Sequence, residues 1–147
     1  MPPIKKTISV PLPPDAAFQL FTARIDLWWP KSSHSLSGAE ATVTFPDHLG
    51  GDIIEHAKDG TTHIWGTITG YDEGAFLSYI WHPGRPKEQA TVVTISFTAT
   101  ETGTTLVLTH GGFEILGPTA DAVSTSYLHG WDLVLGCYAK ATLPVSA

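Results

Sequence analysis

The sequence predicts an α+β domain in which a curved antiparallel sheet of about six or seven strands wraps around one long C-terminal helix, with two short helices after the first strand. Three observations carry that expectation. The stretch from Thr119 to Leu143 is the longest in the chain whose apolar residues keep a helical period. Advancing about 100° per residue, Val123, Tyr127, Gly130, Trp131, Val134, Tyr138 and Ala141 share one face, with Leu128 and Leu135 at its margin and Asp121, Thr125, His129, Asp132 and Lys140 opposite. Between Ala41 and His110, short segments with β-forming composition are joined by brief turn sequences, which implies an antiparallel meander. The helical patterns stand outside that run, so the chain lacks the strand and helix alternation of a parallel α/β fold.

Taken in order, Lys5 to Val10 is an amphipathic strand, with Lys6, Ile8 and Val10 alternating with Thr7 and Ser9, and Pro11, Pro13 and Pro14 stop it. Asp15 opens a short helix through Thr22, in which Ala17, Phe18 and Phe21 hold helical spacing, and a second short piece covers Ile25 to Trp29. Lys31 to Gly38 is a loop of serines and a histidine. The strands expected next are Ala41 to Phe45, Asp52 to His56, Thr62 to Tyr71 and Phe76 to Trp81, separated by Pro46-Asp47 through Gly50-Gly51, Lys58-Asp59-Gly60 and Asp72-Glu73-Gly74. After the loop Pro83-Gly84-Arg85-Pro86, Ala90 to Thr100 and Thr104 to His110 form a hairpin over Glu101-Thr102-Gly103. Val93, Ile95 and Phe97 share one parity, and Leu106 and Leu108 share theirs with His110, so His110 is aimed at the helix. In Thr62 to Tyr71, His63, Trp65 and Thr67 compete with Ile64, Gly66 and Ile68; the reading adopted turns Trp65 inward. For the last helix, Thr119 after Gly117-Pro118 is the expected N-cap, Asp121 and Lys140 suit the dipole at the two ends, and Pro144 lies beyond it.

Residues 1–147 form one domain on this reading, since the length suits a single core and no linker, repeat or charge block interrupts it. Eight basic residues against 14 acidic ones leave a net charge of −6, which opposes a phosphate backbone and argues against a nucleic-acid partner. Met1 to Lys6 is followed by no apolar signal-like segment, and no run reaches the length of a membrane span. The single cysteine, Cys137, excludes an intrachain disulfide and fits a reducing, cytoplasmic setting, as a monomer or a homodimer.

Several motifs resemble a known family. Gly50-Gly51-Asp52-Ile53-Ile54-Glu55, Asp59-Gly60, Trp65-Gly66, Trp81-His82-Pro83, Thr109-His110-Gly111-Gly112-Phe113 and Gly130-Trp131 occur in this order, after an opening with Phe18, Phe21 and Trp28-Trp29-Pro30. Together they look like the heat-shock-protein-90 ATPase activator homologue family of the START-like (SRPBCC) superfamily. The resemblance spans nearly the whole chain. It implies the helix-grip fold, with a deep cavity between helix and sheet that some members use for apolar ligands and others for catalysis. It also raises a co-chaperone role, although related activators use an additional domain.

The candidate chemistry centres on that cavity. Trp28, Trp29, Trp65, Trp81 and Trp131 are many large rings for a small domain and suit the walls of an apolar pocket, with Tyr127 beside them on the helix face; packing alone also accounts for each. Gly130 costs helix stability unless something approaches closely there. Glu55 shares parity with Ile53, opposite Asp52, Ile54 and His56, so it is expected inward, desolvated and raised in pKa, as a general acid or base; otherwise it is a surface residue, or a buried one held by Tyr127, Tyr138 or an indole N–H. His110 either orients a polar ligand atom or is a hydrogen-bonded core histidine. No metal site is expected, because His34, His63, His82, His110 and His129 with Glu55 and Glu114 show no ligand spacing on one element, and no cofactor is implied. Gly50-Gly51 precedes a strand and is no phosphate loop, and no nucleophile elbow exists. The expected function is binding of a small hydrophobic, lipid-like or aromatic ligand by Trp28, Trp29, Glu55, Trp65, Trp81, His110, Tyr127 and Trp131, with a cyclase- or hydratase-like enzyme using Glu55 and His110 as the alternative.

Overall fold

The computed structural model describes residues 2–143. Seven strands form one antiparallel sheet: β1 (Ile4–Val10), β2 (Thr42–Thr44), β3 (Asp52–His56), β4 (Thr62–Asp72), β5 (Phe76–Trp81), β6 (Thr91–Ala99) and β7 (Thr104–Gly111). Their order across the sheet is β1-β7-β6-β5-β4-β3-β2, so β2 to β7 run as the expected meander and β1 returns to pair with the last strand. The sheet curls into a half-barrel around the C-terminal helix, as the helix-grip expectation requires. Two helices follow β1: α1 (Pro14–Phe21) and a single 3-10 turn at Ile25–Leu27. The long helix α2 spans Ala120–Ala141, and Pro144 lies outside the described residues.

The competing parities of β4 have a physical resolution. Ile53 of β3 pairs with Gly66 and the next residue, Ile54, with Ile64, which leaves Trp65 as the extra residue of a bulge. A bulge exchanges the two faces of a strand, so Trp65 and Gly66, although adjacent, are both buried, and Ile68 continues inward in the phase of Gly66. Each set was therefore correct on one side of the bulge. Gly66 is required by close approach, since a Cβ there would lie 1.9 Å from the Ile80 carbonyl oxygen. The hairpin parity holds as expected: Val93 opposes His110, Ile95 opposes Leu108 and Phe97 opposes Leu106, with all six side chains buried.

Helix α2 differs from the sequence expectation at its start. A 3-10 helix at Phe113–Thr119 runs directly into it, kinked at Gly117, and the Thr119 hydroxyl donates back to the Leu116 carbonyl at 3.0 Å instead of capping α2. Its buried side is as expected, with Trp131, Val134, Leu135 and Tyr138 inward and Asp132 and Lys140 outward. The Tyr138 hydroxyl donates to the Ala17 carbonyl at 2.7 Å, which ties α2 to α1 and satisfies the only polar atom of that side chain. Cys137 is half-buried against the core rather than fully enclosed.

Candidate ligand-binding site

Between the middle of α2 and the concave face of the sheet lies a cavity of about 180 Å³. Its walls come from four places. Trp29 follows the 3-10 turn, Trp65 and Trp81 project from β4 and β5 with Pro83 just beyond, and Tyr127, Gly130, Trp131 and Val134 descend from α2. The fourth wall is the loop that carries Ser33, His34, Ser35 and Leu36.

The four tryptophans form a continuous aromatic lining. Ring centroids lie 5.1 Å apart for Trp29 and Trp65, 5.6 Å for Trp65 and Trp81, and 6.1 Å for Trp81 and Trp131, all tilted or edge-to-face. Three of their indole N–H groups are used within the protein: Trp29 donates to the His34 carbonyl at 2.8 Å, Trp65 to Glu55 Oε1 at 3.0 Å and Trp131 to His110 Nδ1 at 2.9 Å. Trp81 Nε1 is buried without a partner among the described residues. Trp28 stands apart from the cavity, donating to the Leu20 carbonyl and packing on Phe21 and Tyr138. Of the eight residues expected to bind ligand, the structure therefore brings Trp29, Trp65, Trp81, Tyr127 and Trp131 to one cavity and places Trp28, Glu55 and His110 behind its walls.

Glu55 is fully buried, and its carboxylate is a latch. It accepts the consecutive backbone N–H groups of Leu36 at 2.8 Å and Ser37 at 2.5 Å, in addition to the Trp65 indole, so one side chain of β3 holds both the loop and a cavity wall. Desolvation alone would push this carboxyl up, as the sequence reading supposed. The hydrogen bonds to its charged form outweigh that effect and hold it below the ordinary glutamate range, which corrects the expectation. A carboxylate held ionised by three donors is poorly suited to pick up or deliver a proton near neutral pH.

His110 is also fully buried, and its tautomer follows from its neighbours. Nδ1 accepts from the Trp131 indole, so Nε2 carries the proton and donates to Thr91 Oγ1 at 2.6 Å, while that hydroxyl donates to the Trp81 carbonyl at 3.1 Å. Burial, with the nearby Arg85 charge adding to it, pushes the imidazole down to about 3. It is a neutral link between α2, β6 and β5.

The loop residues were not singled out for the cavity, and no periodicity marks them; the available signal is a histidine in a serine-rich run between Trp28-Trp29-Pro30 and Gly38. The loop reaches α2 at Gly130, but its approach is not close enough to require a glycine there. A Cβ there would meet only the His34 ring, at 3.6 Å from Nε2, an ordinary contact. Gly130→Ala should therefore raise stability by about 0.5–1 kcal/mol through helix propensity while narrowing the cavity. Urea unfolding measures this, and a loss of stability would show that the loop cannot accept the methyl group.

A curled sheet gripping a helix over an aromatic cavity defines a START-like, helix-grip domain. The chain belongs to the family described as activator of Hsp90 ATPase homolog 1-like proteins, whose model matches residues 11–135. Among solved structures, protein MLL2253 from Mesorhizobium loti is similar at 19% identity and TM-score 0.70, with 94% of each chain covered. Protein CV1439 from Chromobacterium violaceum has 16% identity and TM-score 0.70 over 99% of this chain and 100% of that one. An anthrahydroquino-γ-pyrone synthase, Txn09, has 24% identity and TM-score 0.64 over 95% and 96%. No curated protein gives a significant sequence match. At these identities the structural likeness establishes the fold. Among the described residues, no helix is long and apolar enough to cross a membrane.

Proposed function

We propose that this protein is a cytoplasmic binding domain that takes up a small apolar or aromatic molecule in the cavity under α2. One observation carries the reading: four tryptophans line a single cavity, and the three indole N–H groups with partners are bonded to the protein, which leaves ring surface for an apolar guest. An apolar cavity of about 150 Å³ admits benzene, so 180 Å³ has room for one or two rings. The synthase among the structural neighbours lends some weight to a cyclase-like enzyme, but Glu55 and His110, the residues such an enzyme was expected to use, spend their hydrogen bonds holding the walls.

Naphthalene titrated into isotopically labelled protein tests this. The expected result is one-to-one binding at micromolar concentration that moves the indole N–H resonances of Trp29, Trp65, Trp81 and Trp131 more than that of Trp28. Gly130→Leu should weaken it at least about tenfold, or about 1.4 kcal/mol, by occupying the space. Absence of any shift up to the solubility limit would count against the reading.

A further inference from the structure

We infer that the bound molecule is a one- or two-ring aromatic carrying a hydroxyl or carbonyl oxygen, received at the cavity wall by the Tyr127 hydroxyl and His34 Nε2. This rests on the cavity reading above and narrows it from any apolar guest to an oxygenated aromatic one.

Most polar side-chain atoms on the cavity-lining residues are already used within the protein. Ser35 is satisfied, since its hydroxyl donates to the Lys31 carbonyl and accepts from the Gly38 N–H. Ser33 is spent on His34 Nδ1 at 2.7 Å. Three indole N–H groups are bonded to protein, and the fourth, of Trp81, is closed off within the ring cluster. Two side-chain functions remain. His34 Nε2 has no hydrogen-bond partner among the described residues and faces Gly130, itself a lining residue. Whether Nε2 is a donor or an acceptor depends on which way the bond to Ser33 runs, and a hydroxyl satisfies either. The Tyr127 hydroxyl accepts from Arg85 Nη2 at 3.2 Å, while its own proton has no acceptor among the described residues.

Arg85 sharpens the second function. Its guanidinium is half-buried and bonded to the Gln89 and Trp81 carbonyls and to Tyr127, with no carboxylate in ion-pair range among the described residues. A cation donating to a phenol oxygen polarises the O–H bond and strengthens it as a donor. Tyr127 thus offers a charge-assisted O–H at the wall of an otherwise apolar cavity, and the matching partner is an oxygen carrying partial negative charge, such as a phenol or an aryl ketone. A plain hydrocarbon leaves both groups unpaired on desolvation, which disfavours it.

The test compares naphthalene with naphthol, matched in shape, against wild type, Tyr127→Phe, His34→Leu and the double variant, reading affinity from the indole N–H resonances. Wild type should bind naphthol at least tenfold more tightly than naphthalene. Each single variant should lose a severalfold part of that preference, and the double variant should lose nearly all of it, with naphthalene bound more tightly than by wild type because no polar group is then left unpaired against it. Dispersed indole N–H resonances and an unchanged urea midpoint in the ligand-free variants confirm that they fold. Equal affinity of wild type for the two compounds, or a preference that survives the double substitution, overturns the inference and leaves the cavity reading standing. Binding of neither compound overturns both.

Discussion

Substituting Glu55→Gln should destabilise the protein by about 2–3 kcal/mol and loosen the loop that forms one wall of the cavity. The carboxylate presents acceptors to three donors, and glutamine retains only one oxygen. With that oxygen in the place of Oε1 it can serve Leu36 N–H and the Trp65 indole, but its amide NH₂ then faces the Ser37 N–H, donor against donor. Hydrogen bonds to a charged acceptor contribute about 1.5–3 kcal/mol each, which sets the magnitude. Relief of the buried charge works in the opposite direction, but the lowered folded-state pKa shows that the hydrogen bonds exceed that cost. Because the folded pKa is depressed, this stabilisation is present above the ordinary glutamate range and fades as the pH falls through the folded value. Urea unfolding gives the stability, and hydrogen exchange at the Leu36 and Ser37 amides should accelerate well beyond the global change. Equal melting and unchanged exchange would show that the carboxylate does not latch the loop.

Acid should cost this protein stability in a second, larger way, through His110. In the folded state the imidazole is neutral down to about 3, whereas an unfolded histidine titrates near its ordinary value of 6.5. Between those values the unfolded chain binds a proton that the native state refuses, so stability is complete above about pH 6.5 and declines as the pH falls. The limiting slope is about 1.4 kcal/mol per pH unit, so this one group can remove about 3 kcal/mol between pH 7 and pH 4. Protonation would place an N–H where the Trp131 indole now donates to Nδ1, so the whole link from Trp131 to Thr91 fails together. His110→Gln should start less stable than wild type at pH 7 and lose markedly less on acidification. Parallel pH dependence in the two proteins would remove His110 from the account.

Much of this architecture was legible in the residues because it depends on local rules. The period of Thr119 to Leu143, the alternation in β6 and β7, and the glycine and proline punctuation each act over a few residues, and together they determined the element order, the antiparallel connections and the inward set of Val93, Phe97, Leu108 and His110. The burial of Glu55 followed from the same parity. What parity cannot supply is the partner at the far end of a side chain. The bulge at Trp65 arises from the register between β3 and β4, and it turned two conflicting patterns into consecutive inward residues. The state of Glu55 depended on two backbone N–H groups of a loop 18 and 19 residues away, which changed a desolvated acid into a latch. His34 gained its place at the cavity because the loop folds back across α2 at Gly130, an approach between residues about a hundred positions apart that no local pattern records. Periodicity therefore decided which faces are apolar; only the folded chain decided which polar atoms are used up and which are left at the cavity wall, because hydrogen bonding is a short-range match between groups that tertiary structure alone brings together.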